Sequence, residues 1–155
     1  MPPTRHELHY QARYAVRLTQ RTARLYRRIQ TAGTFFAIIG GSGTASLLSA
    51  QVPPWIGLCG ALLLAFSGAA LIAIRPADKA AQNETDAKKY LALLARASKL
   101  SDEDFAVALD EAHQSDCQEV EPLRDVAYND IVTEFGRADE KVPLSCHQVI
   151  LAAIA

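Results

Sequence analysis

The hydrophobic positions of this chain are concentrated in its centre. Forty-six residues separate Arg28 from Arg75, and none of them is Asp, Glu, Lys, Arg or His. The sequence Gln51-Val52-Pro53-Pro54 divides this stretch into two apolar segments, 32–50 and 54–74. Each is close to the roughly 20 residues that cross a bilayer as a helix. Because proline removes an amide donor and crowds the preceding turn, the pattern predicts two transmembrane helices joined as a hairpin.

The charges beside the apolar stretch predict its orientation. Residues 1–31 carry seven arginines and one glutamate, and residues 75–100 carry six basic and three acidic residues. Lys and Arg are enriched in cytoplasmic segments, so we expect both termini in the cytoplasm. The predicted organisation is a cytoplasmic helix over 1–31, a transmembrane hairpin over 32–75 and a cytoplasmic helical region over 76–155.

Two other interpretations of the apolar stretch are less consistent with the sequence. Arg27-Arg28 followed by an apolar run resembles a twin-arginine export signal with cleavage near Ala50, but the consensus is absent and a second span follows at once. A buried hairpin in a soluble protein is the other alternative. Two bilayer-length segments with basic flanks favour a membrane.

The first 31 residues predict a basic amphipathic helix. Thr4 and Glu7 have the spacing of a capping box, so we expect the helix to begin there. Arginines at helical spacing share one face: Arg13, Arg17, Arg21, Arg24 and Arg28. The arginines are candidates to contact lipid headgroups or the cytoplasmic tail. An apolar stripe lies on another face, at Tyr14, Leu18, Leu25 and Ile29. The helix either lies on the membrane surface or packs this stripe on the protein's own cytoplasmic helices, and the sequence favours neither. No nucleic-acid partner is expected, because the arginines do not belong to a recognisable nucleic-acid-binding fold.

Small residues recur every fourth position along both predicted spans. In the first span they are Gly33, Ala37, Gly41, Ala45 and Ser49, and in the second Gly57, Ala61, Ala65, Ala69 and Ala73. In lipid, close backbone approach across small residues draws helices together. We therefore predict that these two faces pack on each other, leaving the bulky residues for lipid or a neighbouring subunit.

The first span is the more polar of the two. Ser42, Ser46 and Ser49 fall on one side, where they are candidates to line a water-filled path in an oligomer. The alternative is that their hydroxyls bond back to the helix or across to the second span. The sequence 40–43, Gly-Gly-Ser-Gly, is expected to weaken the helix locally.

Apolar periodicity predicts further helices after the spans. A stripe over 80–100 predicts a long helix continuing from the second span, and Ser101 with Asp104 gives a start signal for the next one. Pro122 suits the first turn of a helix that Gly136 ends. An apolar helix is predicted over 144–155.

Charge is unevenly distributed along the chain. Residues 101–155 contain thirteen acidic and three basic residues, a net charge of −10, against +6 for residues 1–31. The acidic region either docks on the arginine helix or forms a solvated surface. Because exposed ion pairs usually contribute less than about 1 kcal/mol, the solvated surface is the preferred interpretation.

The sequence contains no arrangement typical of an enzyme or a metal site. Ser, His and Asp occur without a nucleophile motif, so no catalytic residue, cofactor or metal is predicted. A zinc site of His113, Cys117, Cys146 and His147 can be drawn, but no short CxxC or HxxxH pair supports it.

The layout resembles the SLATT-type two-transmembrane proteins of bacteria. The shared features are an amphipathic first helix, a tight hairpin, a long following helix, Ala127-Tyr128-Asn129 in a helix ended by Gly136, and a terminal segment that begins with Pro143-Leu144. The resemblance implies a non-enzymatic, oligomeric effector of the bacterial inner membrane. It would form a pore or disrupt the membrane in antiphage defence, with a cytoplasmic sensor or signalling protein as partner. A membrane-anchored adaptor and a holin-like lysis protein are the alternatives.

Overall fold

The chain forms helices and short turns. The structure is a computed structural model that describes residues 3–48, 53–117 and 119–155, and no β-strand occurs in these ranges. Six α-helices lie within them: α1 (Arg5–Ala45), α2 (Pro54–Ile74), α3 (Pro76–Arg96), α4 (Asp102–Gln114), α5 (Arg124–Glu134) and α6 (Cys146–Ile154). Short 3₁₀ turns occupy Ser46–Leu48, Ala97–Lys99, Glu121–Leu123 and Ala138–Glu140. The predicted all-helical fold class is confirmed.

The helices form two compact units. We call Met1–Leu25 with Lys79–Ala155 the charged unit, and Tyr26–Asp78 the apolar unit. Helix α1 contributes residues to both. The sequence assigned the amino-terminal helix and the tail to separate regions, whereas the structure groups residues up to Leu25 with the tail.

Three predicted helix boundaries are confirmed in the charged unit, whereas α5 begins at Arg124, after a 3₁₀ turn that contains Pro122, and α6 begins at Cys146 instead of 144. The amide of Thr4 donates to the Glu7 carboxylate at 2.7 Å, which completes the capping box before α1. The Ser101 hydroxyl accepts from the Asp104 amide at 3.1 Å before α4. After α5, Gly136 adopts a φ of 72°, and the next amide donates to the carbonyl of Val132 at 2.9 Å. This is the Schellman arrangement that glycine favours.

The prediction that one long helix continues out of the second span is wrong. Helix α2 ends at Ile74, Arg75 takes a left-handed conformation with φ 50° and ψ 52°, and α3 begins at Pro76. The amide of Arg75 still donates to the Leu71 carbonyl at 3.0 Å. Because proline disfavours the right-handed helical conformation of the residue before it, Pro76 ends one helix and starts another.

The core of the charged unit gathers three helices. Leu8, Ala12, Ala15 and Val16 of α1 pack with Tyr90, Ala97, Phe105 and Leu109 from α3, its following turn and α4. Tyr90 and Phe105 are fully buried. A further group of buried residues comes from the segment leading into α5 and from α5 itself: Leu123, Val126, Ala127, Ile131 and Val132. The apolar stripe of the amino-terminal helix therefore packs on the protein's own helices.

One helix outside this core is apolar enough to cross a membrane. Among the described residues, the stretch Pro54–Lys99, whose apolar part is α2, has the required length and composition. Only 17% of its most apolar 18-residue window is buried. The described part of the first predicted span, 32–50, does not meet the same criteria of length and composition. Its last two residues lie outside the described part of the chain.

Replacing Phe105 with alanine should destabilise the charged unit. Phe105 is fully buried, so Phe105→Ala removes a large apolar side chain and leaves a cavity. We expect the free energy of unfolding to fall by about 3–5 kcal/mol. Thermal unfolding followed by circular dichroism measures this. Val107→Ala on the same helix is the control, because Val107 is 58% exposed and should change stability little.

Candidate functional site

Three glycines bring α1 and α2 into close contact in the apolar unit. A Cβ at Gly40 would lie 2.5 Å from the Leu64 amide nitrogen and 2.7 Å from the Gly60 carbonyl oxygen. At Gly60 it would lie 2.6 Å from the Thr44 amide nitrogen, and at Gly43 it would lie 3.1 Å from the Gly60 Cα. The distances at Gly40 and Gly60 are too short for alanine, and at Gly43 the facing backbone would have to move by a few tenths of an ångström. The two backbones therefore approach this closely because Gly40 and Gly60 lack a side chain.

Leucines pack over further glycines at the two ends of this contact. A Cβ at Gly33 would lie 2.6 Å from Leu71 Cδ2, and Gly57 packs against Leu47 in the same way. The contacting residues recur every seventh position, at Gly33, Gly40 and Leu47 and at Gly57, Leu64 and Leu71. We call these six residues with Gly43 and Gly60 the glycine seam. A seven-residue repeat keeps one seam facing a partner helix over its whole length.

The glycine seam differs from the packing faces predicted from the sequence. Gly33 and Gly57 of the prediction belong to it, but nothing lies within 4 Å of a Cβ built on Gly41. Ala37 and Ala61 are half-buried, whereas Ala45, Ala65, Ala69 and Ala73 are exposed. Ser49 lies outside the described residues. A row of every fourth residue moves about 40° around a 3.6-residue helix at each step, so it cannot stay on one face.

Large apolar side chains cover the outer surface of the apolar unit. Phe66 is 74% exposed and Ile72 is 79% exposed. Other exposed members of this surface are Phe35, Phe36, Ile38, Ile39, Leu47, Trp55, Leu58, Leu62, Leu64 and Ile74. Monomeric soluble proteins rarely expose apolar patches this extensive, and such patches mark contacts with protein or membrane.

The serine hydroxyls of the first predicted span bond to their own helix. Ser42 donates to the Ile38 carbonyl at 2.6 Å, and Ser46 donates to the Gly43 carbonyl at 2.6 Å. Ser42 is exposed and Ser46 is half-buried. These hydrogen bonds to the helix backbone are the ones expected if the serines do not line a water-filled path. Ser49 lies outside the described residues. The α-helix also continues through residues 40–43 to Ala45, so the expected local weakening is not seen.

Arginines on α1 contact carboxylates on α5 within the charged unit. Arg13 and Arg17 each donate to Glu134, at 2.9 and 2.8 Å. Arg21 binds Asp130 through two nitrogens, at 2.8 and 2.9 Å. The preferred interpretation, in which the acidic tail forms a solvated surface, therefore does not hold for Glu134 and Asp130. Single exposed pairs contribute little, but here apolar burial of α1 and α5 already holds the partners close.

Arg21 also reaches the last helix. Its third nitrogen donates to the Ala152 carbonyl of α6 at 2.9 Å, so one guanidinium joins α1, α5 and α6. The Arg21 side chain is 18% exposed, against 45% for Arg13 and 42% for Arg17. Of the remaining arginines in the predicted row, Arg24 lies 3.4 Å from the Gln20 carbonyl of its own helix. Arg28 belongs to the apolar unit and is exposed.

A buried polar cluster fastens the end of α4 to α3. Tyr90 donates its hydroxyl to Asp116, and Lys89 donates to Asp86 at 2.8 Å. The amide of Cys117 donates to Asp86 at 3.1 Å. Burial raises the pKa of Asp116, and the nearby Asp86 charge adds to this effect. Burial would also raise the pKa of Asp86, but the Lys89 and Cys117 hydrogen bonds outweigh it and lower that pKa overall.

Residues considered for zinc have other local roles. Within the described ranges, no group of three or more His, Cys, Asp or Glu side chains is placed to hold a metal ion. The His113 ring packs on Tyr90 with 5.5 Å between ring centroids. Nδ1 of His147 lies 2.9 Å from the Ser145 hydroxyl at the start of α6.

Comparisons with known proteins assign no family to the chain. No protein-family model, curated protein or solved structure matches it. The resemblance to SLATT-type proteins therefore stays a prediction from layout and short motifs. Functional inference rests on the geometry of the glycine seam, the exposed apolar surface and the arginine contacts.

Sequence reasoning missed two parts of these sites. Gly40, Gly43 and Gly60 were overlooked because a period of four was followed instead of a period of seven. A seven-residue repeat with alternating spacings of three and four was the signal that would have revealed them, because Gly40 follows Gly33 by seven, while Gly43 and Gly60 follow Gly40 and Gly57 by three. The Tyr90–Asp116 pair joins residues 26 positions apart, and no local pattern marks it.

Gly60→Ala should weaken the contact between α1 and α2. The added Cβ would meet the backbone of Gly40 and Thr44, so the helices must separate, at a cost of about 1–3 kcal/mol. Titration of the micelle-embedded chain with SDS, followed by the fluorescence of its single tryptophan, Trp55, measures this. Gly68→Ala is the matched control, because nothing lies within 4 Å of its Cβ. Equal midpoints for the two variants would contradict the seam.

The Glu134 contacts should make stability depend on acid pH. The hydrogen bond from Arg17 lowers the pKa of Glu134, so its contribution is complete above the usual carboxyl pKa and is lost as pH falls through the lowered value. Glu134→Gln should therefore have a lower Tm than the unaltered chain at pH 7, and this difference should shrink toward pH 3. Thermal scans across this range test it. Glu111→Gln, an exposed change on α4, should show no such convergence.

Proposed function

We propose that α2 and the apolar part of α1 cross a bacterial inner membrane as a two-helix hairpin. The observation that carries this proposal is the large exposed apolar surface around a seam of glycines. Lipid chains can cover such an apolar surface. Within lipid, apolar burial does not drive helices together, so they associate through close contact between their backbones. The absence of charge over 29–74 agrees with it.

The basic flanks support a cytoplasmic location for both termini. Arg27 and Arg28 precede the first apolar segment, and Arg75 and Lys79 follow the second, while residues 50–54 between them carry no charge. Lys and Arg near the ends of spans favour the cytoplasmic side. The charged unit would then lie in the cytoplasm.

We further propose that the hairpins associate into an oligomer that permeabilises the membrane in bacterial antiphage defence. The glycine seam leaves Ala65, Ala69 and Ala73 exposed on α2, and small residues of this kind allow a neighbouring subunit's helix to approach. The SLATT-like layout supports an effector without enzymatic activity. Ser42 and Ser46 stay candidates to line the path, since a hydroxyl that bonds its own helix still presents an oxygen to water.

The charged unit is the proposed control element of this assembly. A sensor or signalling protein can open the assembly only by binding one of its states better than the other. The charged unit has helices held together by ion pairs and a polar cluster, which a partner can rearrange.

A membrane-anchored adaptor is the second candidate. Helix α6 exposes Val149, Ile150 and Ile154, which form an apolar face in the charged unit where a cytoplasmic protein can dock. In an adaptor the hairpin only anchors the chain, so an unrelated hairpin should replace it without loss of function.

Induced expression in bacteria should depolarise the inner membrane and admit propidium. Ser42→Leu with Ser46→Leu, at matched membrane abundance, should reduce both signals if these residues line the path. Depolarisation by both chains would retain the effector and remove the lining face. No signal from either chain, with the charged unit intact or deleted, would contradict a permeabilising effector and favour the adaptor.

Ala65→Leu should reduce association without disturbing the glycine seam. Ala65 is exposed on α2, so a larger side chain obstructs a neighbouring subunit and leaves the α1 contact unchanged. Chemical crosslinking in membranes measures the oligomer. Phe66→Leu is the control, because it exchanges one exposed apolar residue for another. An unchanged crosslinking pattern for Ala65→Leu would contradict packing through this face.

A further inference from the structure

A cleft of about 300 Å³ lies between α1, α3 and α5 in the charged unit. Val16, Leu91 and Leu94 give it an apolar side, and Arg13, Arg17 and Glu134 give it a charged side. Its volume is at the lower end of the range for small-molecule sites in proteins. An apolar wall beside two guanidiniums matches a ligand that has an apolar chain and an anionic head.

The charged side of the cleft already holds a carboxylate. Glu134 receives one N–H from Arg13 at 2.9 Å and one from Arg17 at 2.8 Å. Each guanidinium carries five N–H donors, and two positive groups share this one negative group. The pair is therefore suited to a carboxylate, and Glu134 shows where its oxygens would lie.

Glu134 is held in a way that allows exchange. Its side chain is 36% exposed, and those of Arg13 and Arg17 are 45% and 42% exposed. Ion pairs this accessible to water contribute little free energy, so a competing anion with additional contacts can displace one partner. Leu91, which is 46% exposed at the cleft, offers those contacts to an apolar chain.

We propose that this cleft binds a medium-chain fatty acid, whose carboxylate replaces Glu134 between Arg13 and Arg17 and whose chain covers Leu91 and Leu94. The chain removes exposed leucine surface from water, which gives the ligand an advantage over Glu134. Displacement frees the end of α5 from α1 while Arg21 still holds Asp130. Binding involves the charged unit alone and does not depend on the proposed membrane function.

Photolabelling of the full chain in phosphatidylcholine nanodiscs tests the site. The probe is decanoic acid with a diazirine near the end of its chain, and the labelled peptides are mapped by mass spectrometry. We expect label on the α3 peptide that contains Leu91 and Leu94, and loss of that label with excess decanoate. The corresponding diazirine alcohol should label this peptide far less, because it lacks the carboxylate.

Variants separate the head contact from the chain contact. Arg13→Gln with Arg17→Gln should reduce labelling by about tenfold, since it removes the charge-assisted hydrogen bonds to the head. Leu91→Ser should also reduce labelling, because it removes an apolar contact with the fatty acid's hydrocarbon chain. Glu134→Gln should increase labelling, because the competing carboxylate is gone. Lys88→Gln with Arg96→Gln is the matched control: it also removes two positive charges, from exposed positions of α3 outside the cleft lining.

Three results would overturn the proposal. One is equal labelling by the acid and the alcohol, and another is a decrease in labelling with Glu134→Gln in a chain whose circular dichroism is unchanged. The third is labelling of the α3 peptide by a diazirine lysophosphatidylglycerol and not by the fatty acid, which would assign the cleft to a phospholipid headgroup. The gain with Glu134→Gln matters most when the acid probe shows it and the alcohol does not, because a misfolded chain that exposes apolar surface would bind more of both probes.

Discussion

Packing of α1 against its neighbours is the interaction on which the charged unit depends. Between Leu8 and Val16, α1 buries an apolar face against α3 and α4, and Phe105 is fully buried in this core. Its arginines meet α5 on another side, where Arg21 also bonds α6. Helices as short as α5 and α6 are marginal alone in water, so they depend on tertiary contacts, α5 with α1 and α6 with α5 and the turn Glu121–Leu123. Loss of α1 would remove both the apolar and the ionic support of the unit.

Local signals in the sequence were sufficient for several helix boundaries. The capping residues Thr4 and Ser101 and the left-handed Gly136 act over three or four residues, so they can be recognised without knowledge of the fold. Arg75 was more difficult, because the helix break there comes from the following proline, which disfavours a right-handed helical conformation at Arg75, and not from the Arg75 side chain. The rule for the residue before proline was available, but apolar periodicity on both sides suggested continuity.

Partners across the structure were harder to predict than boundaries. Gly40 is buried against α2, whereas the adjacent Gly41 is half-buried and has open space at its Cβ. This difference depends on a helical rotation of one residue, which a list of small residues cannot resolve. Arg13 and Arg17 could be placed on one face, but the sequence did not identify the acidic tail as their partner, since a solvated acidic surface was the preferred interpretation. Only the packing of α5 distinguishes them, because burial of Ile131 brings Glu134 beside both guanidiniums.

Burial separates the arginines of α1 into two groups. Arg21 has a structural role, whereas Arg13 and Arg17 hold a carboxylate that another anion can replace. Arg21 is 18% exposed, binds Asp130 through two nitrogens and holds a carbonyl of α6, so removing its partner leaves a partly buried charge. Arg13 and Arg17 are more than twice as exposed and share one carboxylate. Water and salt screen the outer pairs more than the inner one. A competing anion should therefore open the α1–α5 contact from its Glu134 end, while Arg21 keeps the helices together.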